Sequence, residues 1–184
     1  MSLAPTDPRR YAGFTILELM LAMAILGLLA AVAIPNFLHY QATSRRSEAF
    51  TNVQAIANME ITYFGEHDTY FQVPVSYPDP AGKPSGVLDI DKMAWDAASS
   101  AAFSALGWAP EGWVFFSYEV NTDCNALPSF TVTGFGDVDA DTFVSAVQYG
   151  KADSAGFLCG GSSFPIGAPT RPEEVIVNAL ADAH

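Results

Sequence analysis

The chain has 184 residues, half of them apolar and only 15% charged, and its 20 acidic against 8 basic side chains give a formal net charge of −12. That length suits one domain with an appended segment rather than two domains. A surface this acidic repels a phosphate backbone, so there is no strong case for nucleic acid as a partner.

The apolar excess is concentrated near the N-terminus, where Glu18 is the one formally charged residue between Phe14 and Leu38. As a helix, ~25 residues reach ~37 Å, enough to cross a hydrocarbon core of roughly 30 Å. A secretory signal peptide would read the same stretch differently, with Arg9 and Arg10 as its basic end, residues 19–30 as its apolar centre and Ala31-Val32-Ala33 as its cleavage site. Against it stand Glu18 inside the apolar run and Pro35 just past that cut. A carboxylate within a span costs about 2.5 to 3.5 kcal/mol on insertion scales, so Glu18 either snorkels to the headgroups or is paired. Gly27 and the alanines at 22, 24, 30, 31 and 33 permit close approach of a second helix. Pro35 removes a helix hydrogen bond and predicts a kink or local melting. Arg9 and Arg10 on one side balance Arg45 and Arg46 on the other, so charge alone does not orient the span.

The stretch GFTILELMLAMAILGLLAAVAIPNF resembles the prepilin signature of the type IV pilin and pseudopilin superfamily, with Gly13 before the cut, Phe14 after it, Glu18 fifth and Pro35 twenty-second in the remaining chain. Here Tyr11-Ala12 stand where a basic residue usually precedes the Gly, the leader carries Pro5 and Pro8, and Ile16-Leu17 inverts the commoner order. The resemblance implies that a membrane-embedded aspartyl peptidase removes residues 1–13 and N-methylates Phe14. Residues 14–35 would remain as a transmembrane and assembly helix, and 36–184 would form a periplasmic or extracellular head domain. It also supplies a partner for Glu18, the free amine of Phe14 in the same or a neighbouring subunit, and a helix kink at Pro35. The partners implied are further copies of the chain in a helical homopolymer, the prepilin peptidase, the inner-membrane pilus assembly machinery and, before assembly, membrane lipid. The precursor would lie in the inner membrane, N-terminus in and C-terminus out, and end in an extracellular filament.

Past Pro35 the helix is expected to resume over 36–64, with Ala49, Phe50, Val53, Ile56, Ala57, Tyr63 and Phe64 on one face. Arg45, Arg46, Glu48, Asn52, Gln54 and Asn58 fall on the polar face, and Gly65 is the stop signal. Residues 66–91, punctuated by Pro and Gly, read as loop. A short helix is predicted over 92–106, capped by Asp91, ended by Gly107 and packed through Trp95, Ala98, Ala102 and Leu106. Aromatic and β-branched residues then predict three antiparallel strands over 113–120, 130–135 and 143–149, with a final short helix or strand over 173–180. The expected fold class is α+β. Its type IV pilin form has a long N-terminal helix, half transmembrane and half amphipathic, packed on a small antiparallel sheet with a C-terminal disulfide loop.

Cys124 and Cys159 have no CxxC spacing or adjacent histidine to suggest a metal or redox site. They are either two buried thiols or, outside the inner membrane, a bridge resembling the C-terminal loop of pilins, whose closure gives up to about 4 kcal/mol in the chain-entropy model. Asp137, Asp139 and Asp141 alternate as in a calcium loop, but Thr142 and Gln148 stand where that loop needs glycine and a bidentate Glu, so a solvated turn is the better reading. His39, His67 and His184 are dispersed, and no nucleophile elbow, P-loop or paired-carboxylate motif occurs. No catalytic residue, metal or cofactor is expected. The predicted function is structural subunit of a type IV pilus serving adhesion, motility or a related surface role. One alternative is a pseudopilin of a type II secretion system, although the Trp-Gly-x-Pro-Tyr-like stretch and calcium loop usual there are missing. The other is a non-polymerising periplasmic binding domain, secreted or anchored.

Overall fold

The computed structural model describes residues 13–80, 91–122, 127–138, 144–160 and 176–179. Backbone contacts divide the chain into two compact units, Met1–Tyr40 and Gln41–His184. Helix α1 runs over Ile16–His67 and contributes to both.

The second unit is a five-stranded antiparallel sheet with the C-terminal part of α1 laid on one face. The strands are β1 Val73–Tyr77, β2 Ser117–Thr122, β3 Phe130–Gly136, β4 Ser145–Lys151 and β5 Ile176–Ala179, neighbours in sequence and in space. Register is set by Val120 opposite Val132 and Val132 opposite Tyr149. The helix buries Ala49, Val53, Ile56 and Ala57 against Tyr118, Val120, Phe130, Val132 and Val147. The stripe of three- and four-residue spacings therefore faces the sheet as expected.

Several boundaries differ from the sequence reading, those of β2 and β4 included, which run over Ser117–Thr122 and Ser145–Lys151 rather than 113–120 and 143–149. Helix α1 passes through Gly65 to His67 and ends where Asp68 takes a left-handed φ of 56°, its N–H donating to the Phe64 carbonyl at 2.9 Å. Asp tolerates that conformation better than most residues, so it ends the helix where Gly65 does not. Strand β1 occupies a stretch read as loop because of Pro74 and Pro78. Proline is admissible there because β1 is an edge strand with irregular register against β2. The short helix α2 is only Ala97–Ala102, followed by a 3-10 turn Ser104–Leu106. Its cap is Asp96, not Asp91: the Asp96 carboxylate accepts from the Ser99 N–H at 2.8 Å and the Ser99 hydroxyl at 2.6 Å, which holds its pKa below the ordinary value. Upstream, Met93 is engaged in a bridge with Val114. Gly107 ends the segment at φ 65° as expected, while Ala98 is exposed and the core position is filled by Phe103. The last strand resolves the helix-or-strand alternative for the tail in favour of β5.

The other face of strands β2 to β4 is buried too, and beside an apolar cluster of Met93, Phe135 and Ala146 it carries polar side chains. Glu119, Thr133 and Gln148 form a cross-strand row, with Asn121 donating to the Glu119 carboxylate at 2.8 Å and Gln148 to the Thr133 hydroxyl at 3.4 Å.

Candidate functional site

Gly13, Phe14 and Thr15 are not helical, and α1 begins at Ile16. Thr15 is the residue that starts it. Its hydroxyl accepts from the Glu18 N–H at 3.2 Å and its carbonyl accepts from the Leu19 N–H at 3.2 Å. The order Thr-x-x-Glu is the capping-box pattern, in which a side-chain oxygen satisfies a helix N–H that has no partner within the helix. Glu18 thus lies in the first helical turn, where the aligned peptide dipoles favour a negative charge.

From Phe14 to Tyr40 every large apolar side chain is more than half exposed. A Cβ built on Gly27 would meet nothing within 4 Å, so the helix surface there is open. In water such a face would be a severe liability, at roughly 25 cal/mol for each Å² left uncovered. The helix is long and apolar enough to cross a membrane, and none of its apolar window is buried among the described residues. Pro35 lies inside α1, whose helical course is unbroken there, so the local melting read from the sequence is not seen. Proline deletes a single N–H, and the hydrogen bonds on either side suffice to carry the helix past it.

Three residues assigned to the polar face of the helix, Arg45, Glu48 and Asn52, prove to be its attachments, while Gln54 and Asn58 stay exposed. Arg45 donates to the Val138 carbonyl at 2.7 Å and lies over the Phe115 ring at 5.4 Å, with Lys92 over the same ring at 4.8 Å. Glu48 accepts from the Phe115 N–H at 2.8 Å and pairs with Lys92 at 3.9 Å. Burial raises the Glu48 pKa, and these two partners oppose the rise. Asn52 donates to the Tyr118 hydroxyl at 2.8 Å, and burial holds that phenol far above its ordinary value. Sequence reasoning missed Glu60 altogether. It is fully buried, one carboxylate oxygen accepts from the Phe71 N–H at 2.9 Å, and the other has no hydrogen-bond partner. Its spacing of four from Ile56 and three from Ala57 was the available signal.

Cys159 is fully buried, is not a free thiol, and has the Ser129 hydroxyl 3.7 Å from its sulfur. Cys124 lies outside the described residues, as do Asp139 and Asp141, while Asp137 is buried. Among the described residues no group of three or more His, Cys, Asp or Glu could hold a metal.

A family profile, the prokaryotic N-terminal methylation motif, matches residues 8–34. The type IV major pilin protein PilA of Myxococcus xanthus is 47% identical over 70 residues, 38% of this chain and 31% of the relative. The type IV major pilin protein PilE1 of Neisseria gonorrhoeae is 36% identical over 78 residues, 42% of this chain and 34% of the relative. The fimbrial protein EcpC of Eikenella corrodens is 55% identical over 38 residues, 21% of this chain and 25% of the relative. The chain thus spans about a quarter to a third of the length of these relatives. No solved structure matches.

Proposed function

We propose that this chain is a member of the type IV pilin family and the structural subunit of a type IV pilus, polymerised through its N-terminal helix. The observation that carries this reading is the exposed apolar face from Phe14 to Tyr40, most of which lies within the methylation-motif match over residues 8–34. An apolar surface with no cover from its own chain needs lipid before assembly and other copies of itself afterwards. Leader removal between Gly13 and Phe14, methylation of the Phe14 amine and pairing of that amine with Glu18 belong to the same reading. The prepilin peptidase and the inner-membrane assembly machinery are its further partners.

The head domain, residues 36–184, faces the periplasm and then the filament surface, with the N-terminus on the cytoplasmic side before extraction. The buried, non-thiol state of Cys159 supports export, because disulfides persist in oxidising compartments. We assign its partner as Cys124, the other of the chain's two cysteines. No catalytic step is assigned to the chain. The relatives reported are named as major pilins and fimbrial proteins, which favours a pilus over a secretion pseudopilin.

Mass spectrometry of mature protein sheared from cells tests the proposal. The expected N-terminus is methylated Phe14. A chain beginning at Ile34 would mean a secreted domain, and one retaining Met1 an uncleaved anchor.

A further inference from the structure

We propose that Thr15 is a positioning residue for leader removal: by capping α1 it holds the Gly13–Phe14 peptide outside the helix, where a peptidase can reach it. The inference rests on the processing reading above and adds a residue and a mechanism to it.

Cleavage requires water to add to the Gly13 carbonyl carbon. The hydroxyl stays there as the new carboxylate, and a proton goes to the Phe14 nitrogen, which leaves as an amine. A carbonyl engaged in a helix is poorly placed for this, since its oxygen accepts a hydrogen bond from four residues on and its backbone is coiled. A chain read by a cleft is normally extended, with its backbone groups available.

The apolar run offers no stop signal of its own between residues 14 and 34, so something must fix where the helix begins. Were the helix to extend two residues further, the Gly13 carbonyl would be committed to the Leu17 N–H. The structure places the start later. The first carbonyl in the ladder is that of Thr15, accepting from Leu19, while the Thr15 hydroxyl takes the Glu18 N–H. Gly13 and Phe14 are left non-helical and exposed. A cap of this kind is worth about 0.5 to 2 kcal/mol, or about 2- to 30-fold in the population that starts at the right residue. Valine has the shape of threonine without the hydroxyl, so it removes the cap and little else.

The test compares leader removal from full-length chain in membranes containing the peptidase, for wild type and for Thr15→Val, Thr15→Ser and Thr15→Asn. Membrane insertion is followed separately by carbonate extraction. Expected are wild-type cleavage after Gly13, near wild-type rates for Ser and Asn, and a rate about 2- to 30-fold lower for Val with insertion unchanged. Amide exchange of the unprocessed chains in micelles gives a second measure: the Glu18 N–H should exchange faster in Thr15→Val alone. Wild-type cleavage rates in Thr15→Val would overturn the proposal while leaving the processing reading intact. So would equal slowing in all three variants, which would indicate direct recognition of the threonine. Unchanged exchange at Glu18 in Thr15→Val would also count against it. Failure of the wild-type chain to be cut after Gly13 would overturn both readings.

Discussion

At the scale of single residues, Glu60 shows how far a helical period can be trusted. The spacing that places Ile56 and Ala57 in the core places Glu60 there as well, with one carboxylate oxygen held by the Phe71 N–H and the other unpartnered. Burial pushes its carboxyl up to about 8 from an ordinary 4.5, against the weaker lowering effect of the Phe71 N–H. Between those values the folded chain keeps a proton that the unfolded chain has released. Stability therefore falls as pH rises through that window and stops falling above it. The limiting slope is about 1.4 kcal/mol per pH unit. Urea midpoints of the full chain in detergent should decline between pH 5 and 8, and Glu60→Gln should flatten the decline. An unchanged slope in that variant would mean another group carries the dependence. Glu18 calls for a different test. If its carboxylate compensates the terminal amine of a neighbour, Glu18→Val should insert and be cleaved normally yet give few or no sheared filaments. Wild-type filament yield in Glu18→Val would count against the pairing.

The elements differed in how plainly the sequence announced them. The apolar helix was legible because its length and composition admit few alternatives, and strands β2, β3 and β4 because aromatic and β-branched residues alternate there. Strand β1 was not legible, since Pro74 and Pro78 argue against a strand unless its edge position is known in advance. The Asp96 cap was missed in favour of Asp91 because both precede apolar residues, and only the bridge between Met93 and Val114 shows that the chain is still extended at that point. The glycines of β3 had a reason that only packing reveals. A Cβ on Gly136 would lie 2.8 Å from the Phe116 ring, and one on Gly134 would lie 3.1 Å from Tyr118. Gly136→Ala should therefore lower stability by about 1 to 3 kcal/mol, the usual cost of forcing extra volume into a packed core. Thermal unfolding would measure it, and a neutral result would mean that the Phe116 ring shifts freely.

For the whole molecule, the division between Tyr40 and Gln41 separates surface that needs company from surface that does not. The second unit has its own apolar core, and both faces of strands β2, β3 and β4 are buried. A truncated chain beginning at Gln41 is predicted to unfold cooperatively and to elute as a monomer in size-exclusion chromatography. Filament formation by that chain alone would place assembly in the head domain. The candidate site was legible as a motif, and so was its helix cap, since Thr15 and Glu18 have the capping-box spacing ahead of an apolar run, a signal the sequence reading did not use. The prepilin pattern names Gly13, Phe14 and Glu18 by position, but which residue starts the helix depends on a hydrogen bond that no periodicity reports.

The attachment of the helix to the sheet also has a mechanical side. In the proposed filament under tension, pull along α1 would be met within the second unit by the side chains that fasten the helix to the sheet. Among the first of these are Arg45, on the Val138 carbonyl and the Phe115 ring, and Glu48, on the Phe115 N–H and Lys92. They stand ahead of Val53, Ile56 and Ala57, while Ala42, three residues before Arg45, already belongs to the buried apolar cluster. Charged and directional contacts of this kind break over a fraction of an ångström to a few ångströms, whereas buried apolar contacts yield more gradually. In the proposed filament, Arg45 and Glu48 would therefore share the first load with Ala42, a directional grip set beside an apolar one.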